Sequence, residues 1–314
     1  MNVVFIGSSF FGLKCLKACH DIPEVNIIGV ITAPRKFSIS YQTTRVTNVL
    51  HRDIKTFAKS KNIPTYEIKK NMNDLEIFQH VKSWKPDIFL VSGWYHMIPK
   101  RFLDFAPAYG LHASLLPDYS GGAPLTWAII NGDKKTGITF FQMDNGVDSG
   151  PILGQKSQKI LVEDTIGSLY EKIANQGIEL VKEVLPQIAR GNHTPKPQDE
   201  TKRRLFPQRN PLDGIIDWTM SANKIYDFIR AQTRPYPGAF SYFFSKKVII
   251  WQSYPLIKKN YKLEPGKLLL IKRKLIAGCG KNTALEIISI NEGENDINPI
   301  SWAQSKNVPM LNLQ

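Results

Sequence analysis

The first 32 residues constrain the fold of this chain more than any other stretch. Residues 2–6 form an apolar, β-prone run that stops at Gly7, residues 11–19 follow a helical pattern, and residues 25–32 form a second β-prone run. A strand, a helix and a strand in this order form a βαβ unit, whose two strands lie parallel in one sheet. The sequence therefore predicts an α/β fold built on a parallel sheet.

The turn after the first predicted strand argues against a nicotinamide cofactor. It reads Gly7-Ser-Ser-Phe-Phe-Gly12, whereas dinucleotide-binding folds carry G-x-G-x-x-G at this turn. The second strand ends in Thr32-Ala-Pro-Arg35, so no acidic residue is available there for a ribose hydroxyl. We therefore expect the sheet to serve another ligand.

The chain is long enough for two domains. Its 314 residues can form two separate cores, and alternating strand and helix patterns predict an N-terminal domain over residues 1–189, with a long loop at 33–52. Residues 190–212 are rich in proline, lysine and arginine and predict a linker, either a solvated tether or a contact for a phosphate-bearing acceptor. Short strand patterns separated by turns predict a small β-barrel over residues 213–314.

Composition limits the partners and the compartment. The net charge of +14 predicts attraction to phosphate-bearing partners, whether nucleic acids, nucleotide-linked metabolites or polyglutamylated cofactors, without choosing among them. The chain has no run of 18 apolar residues and its N-terminus lacks a basic start, so neither a membrane span nor a signal peptide is expected. The three cysteines have no disulfide or metal spacing, which predicts reduced thiols, no metal and a cytoplasmic setting.

One histidine and one aspartate stand out between residues 109 and 153. His112 ends a short apolar run, and Asp148 lies in a glycine-rich turn after a predicted strand over residues 136–142. A histidine titrates near neutral pH and a neighbouring aspartate orients its ring, so the two residues together suit proton transfer. Each residue alone is also typical of a core histidine or a turn aspartate.

A second candidate region is the loop over residues 93–99, which follows a predicted strand over 87–92. Open α/β sheets bind their ligands at the carboxyl ends of their strands, which favours a ligand-lining role for this loop. His96 in the loop has two interpretations, a pocket-wall residue or an exposed loop histidine, and the second is favoured because loop residues are commonly solvated.

A set of short motifs spread over nearly the whole chain resembles the folate-dependent formyltransferases, a family that includes methionyl-tRNA formyltransferase and the sugar-nucleotide N-formyltransferases. The motifs are His112-Ala-Ser-Leu-Leu-Pro117, Gly121-Gly-Ala-Pro124, Trp127-Ala-Ile129, Gly132, Thr136-Gly-Ile-Thr139, Asp148-Ser-Gly-Pro-Ile-Leu153, Asp213-Gly-Ile-Ile-Asp217-Trp218, Arg230 with Thr233-Arg-Pro-Tyr-Pro-Gly-Ala-Phe240, and Pro265-Gly266. As a set they are far more specific than any one spacing.

The resemblance implies a Rossmann-like formyltransferase domain followed by a small C-terminal β-barrel of the OB type. It also implies transfer of a formyl group from 10-formyltetrahydrofolate to a primary amine, which leaves tetrahydrofolate. His112 matches the family's catalytic histidine, which stabilises the oxyanion and moves the proton, and Asp148 matches the aspartate that orients it. The residues that match the folate-lining regions are Ser114, Leu115, Leu116, Pro117, Ser92, Gly93, Met97 and Ile98.

Two positions depart from the family pattern. Gly110 stands where the family has a catalytic asparagine, and Ser120 stands where many relatives have an arginine. A backbone N–H, a water, Asn131 or Asn145 could replace the missing amide. Otherwise the enzyme is slow, or the chain is a non-catalytic module that binds folate or a nucleotide.

The acceptor amine is expected to be a nucleotide-linked amino sugar. Trp127 stands where relatives that act on tRNA usually carry an arginine, which makes the chain more similar to the sugar-nucleotide enzymes. Trp94 or Trp127 could stack on a ring of the substrate, and Arg209 could contact its phosphates. Methionyl-tRNA is the alternative acceptor, because the net charge and the second domain would suit tRNA. The oligomeric state stays open, a homodimer included.

Overall fold

The computed structural model describes residues 1–39, 42–69, 71–256, 263–293 and 295–311. The chain divides into two compact units. The first contains Met1–Pro124, Lys135–Lys159 and Glu171–Phe206, and the second contains Leu125–Lys134, Ile160–Tyr170 and Pro207–Gln314.

The first unit is built on a sheet that is mainly parallel. The strands of the first unit are β1 (Asn2–Ile6), β2 (Asn26–Thr32), β3 (Lys36–Ile39), β4 (Gln42–Thr47), β5 (Thr65–Glu67), β6 (Ile88–Val91), β7 (Ala108–His112), β8 (Ser120–Gly121), β9 (Lys135–Gln142), β10 (Ile152–Lys159) and β11 (Leu205–Phe206). Within the described residues, seven of them form one sheet in the order β10-β9-β7-β6-β1-β2-β5. The five strands from β7 to β5 in this order are parallel, and β9 is antiparallel to both of its neighbours, β7 and β10.

The central strands are apolar because both faces of the sheet are covered. β1 and β6 are buried along nearly their whole length, as expected for parallel strands between helices. Ser9 caps the first helix by accepting from Gly12 N. The helices up to residue 189 are α1 (Phe10–His20), α2 (Ile54–Ser60), α3 (Leu75–Trp84), α4 (Lys100–Leu103), α5 (Pro124–Asn131) and α6 (Ile166–Ala189). The predicted βαβ start is therefore confirmed.

The long loop predicted over residues 33–52 is wrong in part. β3 and β4 pair antiparallel as a hairpin within it, with Lys36 opposite Thr47. The sequence hid the hairpin because β3 alternates between polar and apolar residues over only four positions, and β4 does not alternate at all. Residues 40 and 41 lie outside the described residues.

The second unit contains a predominantly antiparallel sheet. Its strands are β12 (Ala239–Phe243), β13 (Lys246–Leu256), β14 (Leu268–Ile271), β15 (Lys274–Cys279), β16 (Thr283–Glu292), β17 (Asn295–Ile297) and β18 (Met310–Leu311). In the described part of the chain they run in the order β12-β13-β16-β15-β14-β18, with β17 also on β16. Only β14 and β18 pair in parallel there.

Two helices cover the core of this sheet, α7 (Ala222–Arg230) and α8 (Pro299–Ser305). α7 buries Ile225 and Ile229 in the same apolar cluster as Ile250 and Leu285 of the sheet. The fold class is thus confirmed as a parallel-dominated α/β sheet followed by a separate antiparallel sheet domain. The predicted domain limits, 1–189, 190–212 and 213–314, stay predictions.

In the described residues, every helix is too short or too polar to cross a membrane.

Candidate active site

The structure brings His112 and Asp148 together. His112 is the last residue of β7, and Asp148 lies in the turn between β9 and β10. Their Nδ1 and Oδ2 atoms are 3.4 Å apart, and the two side chains are only 11% and 19% exposed. A mostly buried carboxylate at this distance can orient the ring and balance a positive charge on it, as proton transfer requires.

Both ring nitrogens of His112 face hydrogen-bond acceptors. Nε2 lies 2.7 Å from the backbone oxygen of Tyr119, which can only accept, so Nε2 carries the proton of this hydrogen bond. Nδ1 faces the Asp148 carboxylate. The ring therefore donates from Nε2 to Tyr119, and its Nδ1 lies within ion-pair distance of Asp148.

The Asp148 side chain is held by the backbone of a neighbouring loop. Its Oδ2 accepts from Gly121 N at 2.8 Å. Gly121 has a φ of +93°, and a Cβ there would lie 2.5 Å from the Phe206 carbonyl oxygen, so the position requires glycine. Asp148 itself has a φ of +52°, which non-glycine residues rarely adopt. The loop and the turn thus fix each other.

The first predicted folate-lining loop is held rigidly. The Thr139 hydroxyl donates to Ser114 O at 2.7 Å and accepts from Leu116 N at 3.1 Å. Ser114 and Leu116 are buried, whereas Leu115 and Pro117 are partly exposed. Most backbone groups of the loop are already hydrogen-bonded within the protein, so the loop offers chiefly the apolar side chains of Leu115 and Pro117 to a ligand.

The second predicted folate-lining loop begins where β6 ends. Ser92 and Ile98 are buried, and Gly93 has a φ of +60°. Met97 is 57% exposed. Of the four predicted folate contacts, Met97 is thus the one with the most surface free for a ligand.

The same loop contains two buried polar atoms whose hydrogen-bonding capacity is not satisfied by the described residues. Trp94 Nε1 and His96 Nε2 are inaccessible to solvent and make no hydrogen bond to any described residue. The His96 ring lies 4.9 Å from the Phe37 ring and 5.3 Å from the Trp94 ring, centroid to centroid. Burial lowers the pKa of His96, which favours its neutral form. The favoured interpretation of His96 as an exposed loop histidine is therefore wrong, because aromatic neighbours cover the ring.

No side chain replaces the family asparagine at Gly110 itself. A Cβ at this position would lie 3.0 Å from Cε1 of Phe141 and 3.4 Å from Cγ of Met143. The edge of the Phe141 ring therefore lies close to where the first side-chain atom would be. Asn145 is exposed in the turn that carries Asp148, and Asn131 ends α5 in the second unit.

Sequence reasoning missed two residues in the middle of the predicted linker, which contact the segments around His112 and Asp148. Gln198 Nε2 donates to the carbonyl oxygens of Asp148 and Gly150, at 2.8 and 2.6 Å. Arg203 Nη1 donates to Ser120 Oγ at 3.1 Å and to Val147 O at 2.8 Å. A solvated tether does not describe these residues, which are bound to the loops around His112. The one local signal was the β-prone pair Leu-Phe at 205–206, within a stretch without periodicity.

Trp127 and Arg209 form a separate cluster in the second unit. The Arg209 guanidinium carbon lies 4.7 Å from the Trp127 ring centroid, and Trp127 Nε1 donates to Pro207 O at 2.9 Å. Arg209 Nη2 donates to Asp213 O and to Gln232 Oε1. Burial lowers the pKa of Arg209, and Asp213 partly opposes this. Nε and Nη1 make no hydrogen bond to any described residue.

Of the three cysteines, Cys15 lies beside Ser92 at the start of the second predicted folate-lining loop. Cys15, Cys19 and Cys279 are free and buried, and burial raises the pKa of Cys15 to about 12. Within the ranges the structure describes, no group of three His, Cys, Asp or Glu side chains could hold a metal ion.

Comparisons with known proteins point to one family. A family model described as formyl transferase matches residues 1–185, and one described as the formyl transferase C-terminal domain matches residues 210–307. The chain is 32% identical over 313 residues to a methionyl-tRNA formyltransferase of Caldanaerobacter subterraneus, with 98% of each chain covered. It is 39% identical over 252 residues to the bifunctional polymyxin resistance protein ArnA of Wigglesworthia glossinidia brevipalpis, which covers 79% of this chain and 38% of that protein.

The fold is also that of a solved N-formyltransferase. The crystal structure from Helicobacter canadensis, in complex with folinic acid and dTDP-3-aminofucose, has a TM-score of 0.65. The two sequences are 17% identical, and the match covers 91% of this chain and 98% of that one.

Proposed function

The chain belongs to the formyl transferase family, and on that premise we propose that it moves a formyl group from 10-formyltetrahydrofolate to a primary amine, leaving tetrahydrofolate. The observation that carries the proposal is the His112–Asp148 pair, which is mostly buried and held by the backbone of Tyr119 and Gly121. A fixed histidine of this kind can both donate a hydrogen bond and move a proton.

The residues present fit a folate. Its ring system is flat and apolar on its faces and carries hydrogen-bonding groups at its edge. The loop after β6 offers two buried polar atoms without partners, Trp94 Nε1 and His96 Nε2, beside the buried Ile98. We assign this loop and the loop at residues 114–117 to donor binding, with polar groups for the edge and apolar side chains for the faces.

When bound, the donor supplies a formyl group on a nitrogen that can leave. A carbon–nitrogen bond forms to the acceptor amine, the bond to the donor nitrogen breaks, and one proton passes from the first nitrogen to the second. His112 would donate from Nε2 to the formyl oxygen as negative charge develops there, in place of its hydrogen bond to the Tyr119 oxygen, and its ring would carry the proton. Asp148 keeps the ring oriented and balances its charge.

A histidine replacement tests the chemical role. His112→Ala should lower formyl transfer, measured as tetrahydrofolate release with an amine acceptor, by about 10²- to 10⁴-fold, because one general acid–base group is lost. His20→Ala is the matched control: His20 lies 3.4 Å from Asp21, as His112 lies from Asp148, but that pair is on the surface. We expect the control to keep wild-type activity. Undiminished turnover in His112→Ala, with a folded protein, would remove His112 from this role.

Gly110 supports a second candidate function, a non-catalytic module that binds folate or a nucleotide. The family amide is missing, and loss of one oxyanion donor lowers rates by about 10²- to 10³-fold. This candidate predicts that calorimetry detects 10-formyltetrahydrofolate binding while no acceptor amine yields tetrahydrofolate. Turnover with any acceptor eliminates it.

For the acceptor we propose a nucleotide-linked amino sugar. The proposal is supported by Arg209, whose Nε and Nη1 make no hydrogen bond to any described residue and whose guanidinium lies over the Trp127 ring. A guanidinium with unused N–H groups suits a phosphate, and a neighbouring aromatic ring suits a flat ring of the substrate. Methionyl-tRNA is the alternative, supported by the 32% identical relative of that activity and by the net charge of +14. A parallel assay with UDP- or dTDP-linked 4-amino sugars and with methionyl-tRNA separates the two. Release of tetrahydrofolate with methionyl-tRNA alone would overturn the sugar assignment.

We also propose a cytoplasmic location. The three free, buried thiols agree with a reducing compartment, which is where unpaired cysteines are usual. Cell fractionation followed by immunoblotting tests this, and recovery of the protein only from an oxidising compartment would contradict it.

A further inference from the structure

Residues 198–206, which we call the strap, lie against the two segments that hold His112 and Asp148. The backbone of the strap forms β11, which pairs in parallel with β8, so that Leu205 lies opposite Ser120. The Phe206 ring stacks on the Tyr119 ring, at 4.4 Å between centroids and 18° between planes. The strap therefore contacts three consecutive loop residues, Tyr119, Ser120 and Gly121.

Arg203 is the strap residue that joins both segments through one nitrogen. Its Nη1 donates to Ser120 Oγ in the loop after His112 and to Val147 O in the turn that carries Asp148. Its Nε and Nη2 donate to the two carboxylate oxygens of Glu200, which hold the guanidinium plane in this direction. The Arg203 side chain is 18% exposed, whereas that of Glu200 is 60% exposed.

The contacts of Arg203 lie next to the groups that hold the pair. Ser120 lies between Tyr119, whose oxygen accepts from His112, and Gly121, whose N–H donates to Asp148. Val147 directly precedes Asp148. A shift of either segment would therefore change the distance between His112 and Asp148.

We propose that Arg203 is a positioning residue for the His112–Asp148 pair, and that it supplies from the strap the guanidinium that many relatives supply from position 120. Ser120 is buried, and its hydroxyl oxygen accepts directly from the Arg203 guanidinium. The serine at position 120 is thus matched by an arginine that reaches the same place from a distant part of the chain. The catalytic importance of the His112–Asp148 pair rests on the proposed function, whereas the geometry of the pair is independent of that function.

Glu200, through its hydrogen bonds, raises the pKa of Arg203, and Asp148 and Asp144 contribute to the same shift by their charges. Arg203 therefore remains a cation while it faces the turn that carries Asp148. A lysine at position 203 would keep the charge but could not donate to Glu200 and to both segments in one plane.

The first experiment needs neither donor nor acceptor. The full chain contains six histidines, so selective labelling of histidine rings with ¹⁵N gives few NMR signals, and the signal lost in His112→Ala identifies His112. Arg203→Ala should shift the His112 ring signals and change their pH titration. Lys202→Ala is the matched control, because it removes the same charge from the neighbouring residue, whose ion pair is with Asp199. We expect Lys202→Ala to leave the His112 signals in place.

The second experiment measures rates with the acceptor that turns over. Arg203→Ala should lower kcat by about 10- to 100-fold, as loss of a residue that orients a catalytic group usually does, with KM for the donor nearly unchanged. Arg203→Lys should recover less than half of the loss. The double variant Ser120→Arg/Arg203→Ala should recover the His112 signals and most of the rate, because a guanidinium from position 120 can reach Val147 O.

Each outcome decides a part of the proposal. His112 signals in Arg203→Ala that match those in Lys202→Ala would overturn the positioning role, whether or not the protein transfers formyl groups. A folded double variant whose His112 signals stay shifted would overturn the replacement of position 120. A shift of the signals without any wild-type turnover would support positioning and contradict the proposed function instead.

Discussion

Gly110 shows how the loss of one side chain changes its surroundings. It lies opposite Phe141 in the pairing of β7 with β9, and the Phe141 ring covers the space above its Cα. Phe141 is only 3% exposed, so its ring is confined by the core. A side chain at position 110 would therefore contact a ring that has little room to move.

This packing predicts the effect of a small substitution. Gly110→Ala places a Cβ 3.0 Å from Phe141, closer than most such contacts, and overpacking of this kind costs about 1–3 kcal/mol. Reduced flexibility of the unfolded chain returns about 0.4–1 kcal/mol. We expect a net loss in the free energy of unfolding, measured by urea denaturation.

A double-mutant cycle checks the cause. Phe141→Leu removes the ring atoms nearest to position 110, so Gly110→Ala should cost less in this background than in the wild type. Equal costs in both backgrounds would show that Phe141 is not the residue that excludes a side chain at position 110.

α7 depends on a buried arginine at its carboxyl end. Arg230 is 5% exposed, and its Nη2 lies 2.8 Å from Asp227 Oδ1. Its Nη1 donates to the carbonyl oxygens of Leu161 and Asp164. Arg230 therefore has a structural role, because its side chain donates hydrogen bonds to backbone carbonyl groups of a segment that is remote in sequence.

Removal of this arginine should destabilise the second unit. Arg230→Ala leaves the Asp227 carboxylate and two carbonyl oxygens without their donor, and loss of one member of a buried pair costs about 3–5 kcal/mol. Arg234→Ala is the control, because Arg234 pairs with Asp296 on the surface, where such pairs contribute about 0–1 kcal/mol. Calorimetric melting of both variants tests the difference. Similar melting temperatures would contradict a structural role of Arg230.

The strands and helices around the site were largely predictable from their patterns. The pattern over residues 136–142 predicted β9, which spans Lys135–Gln142, and the apolar run over residues 2–6 predicted β1, which spans Asn2–Ile6. Hydrophobic periodicity reports which residues are buried, so it finds elements that bury a whole face. It missed the β3–β4 hairpin and the two-residue strands β8 and β11, which are too short or too polar to show a period.

The charge of the whole chain leads to a test of the tRNA alternative. A net charge of +14 should give binding to any tRNA through phosphate contacts, without regard to the attached amino acid. We expect fluorescence anisotropy to show equal affinity for methionyl-tRNA and uncharged tRNA. The affinity should fall at least about 10-fold between about 50 and 200 mM salt. Tighter binding of methionyl-tRNA that persists at the higher salt would favour the tRNA-acting function.

Sequence alone determined the parallel sheet, the family resemblance and the pair of residues proposed to do the chemistry. These features depend on local patterns: an apolar run predicts a buried strand, and a short motif begins with the histidine or the aspartate. Tertiary structure decided what surrounds them. Phe141 fills the space at Gly110, and Arg203 reaches Ser120 from 83 positions away. Such contacts join residues whose separation along the chain leaves no periodic trace, so only the folded chain reveals which side chain meets which loop.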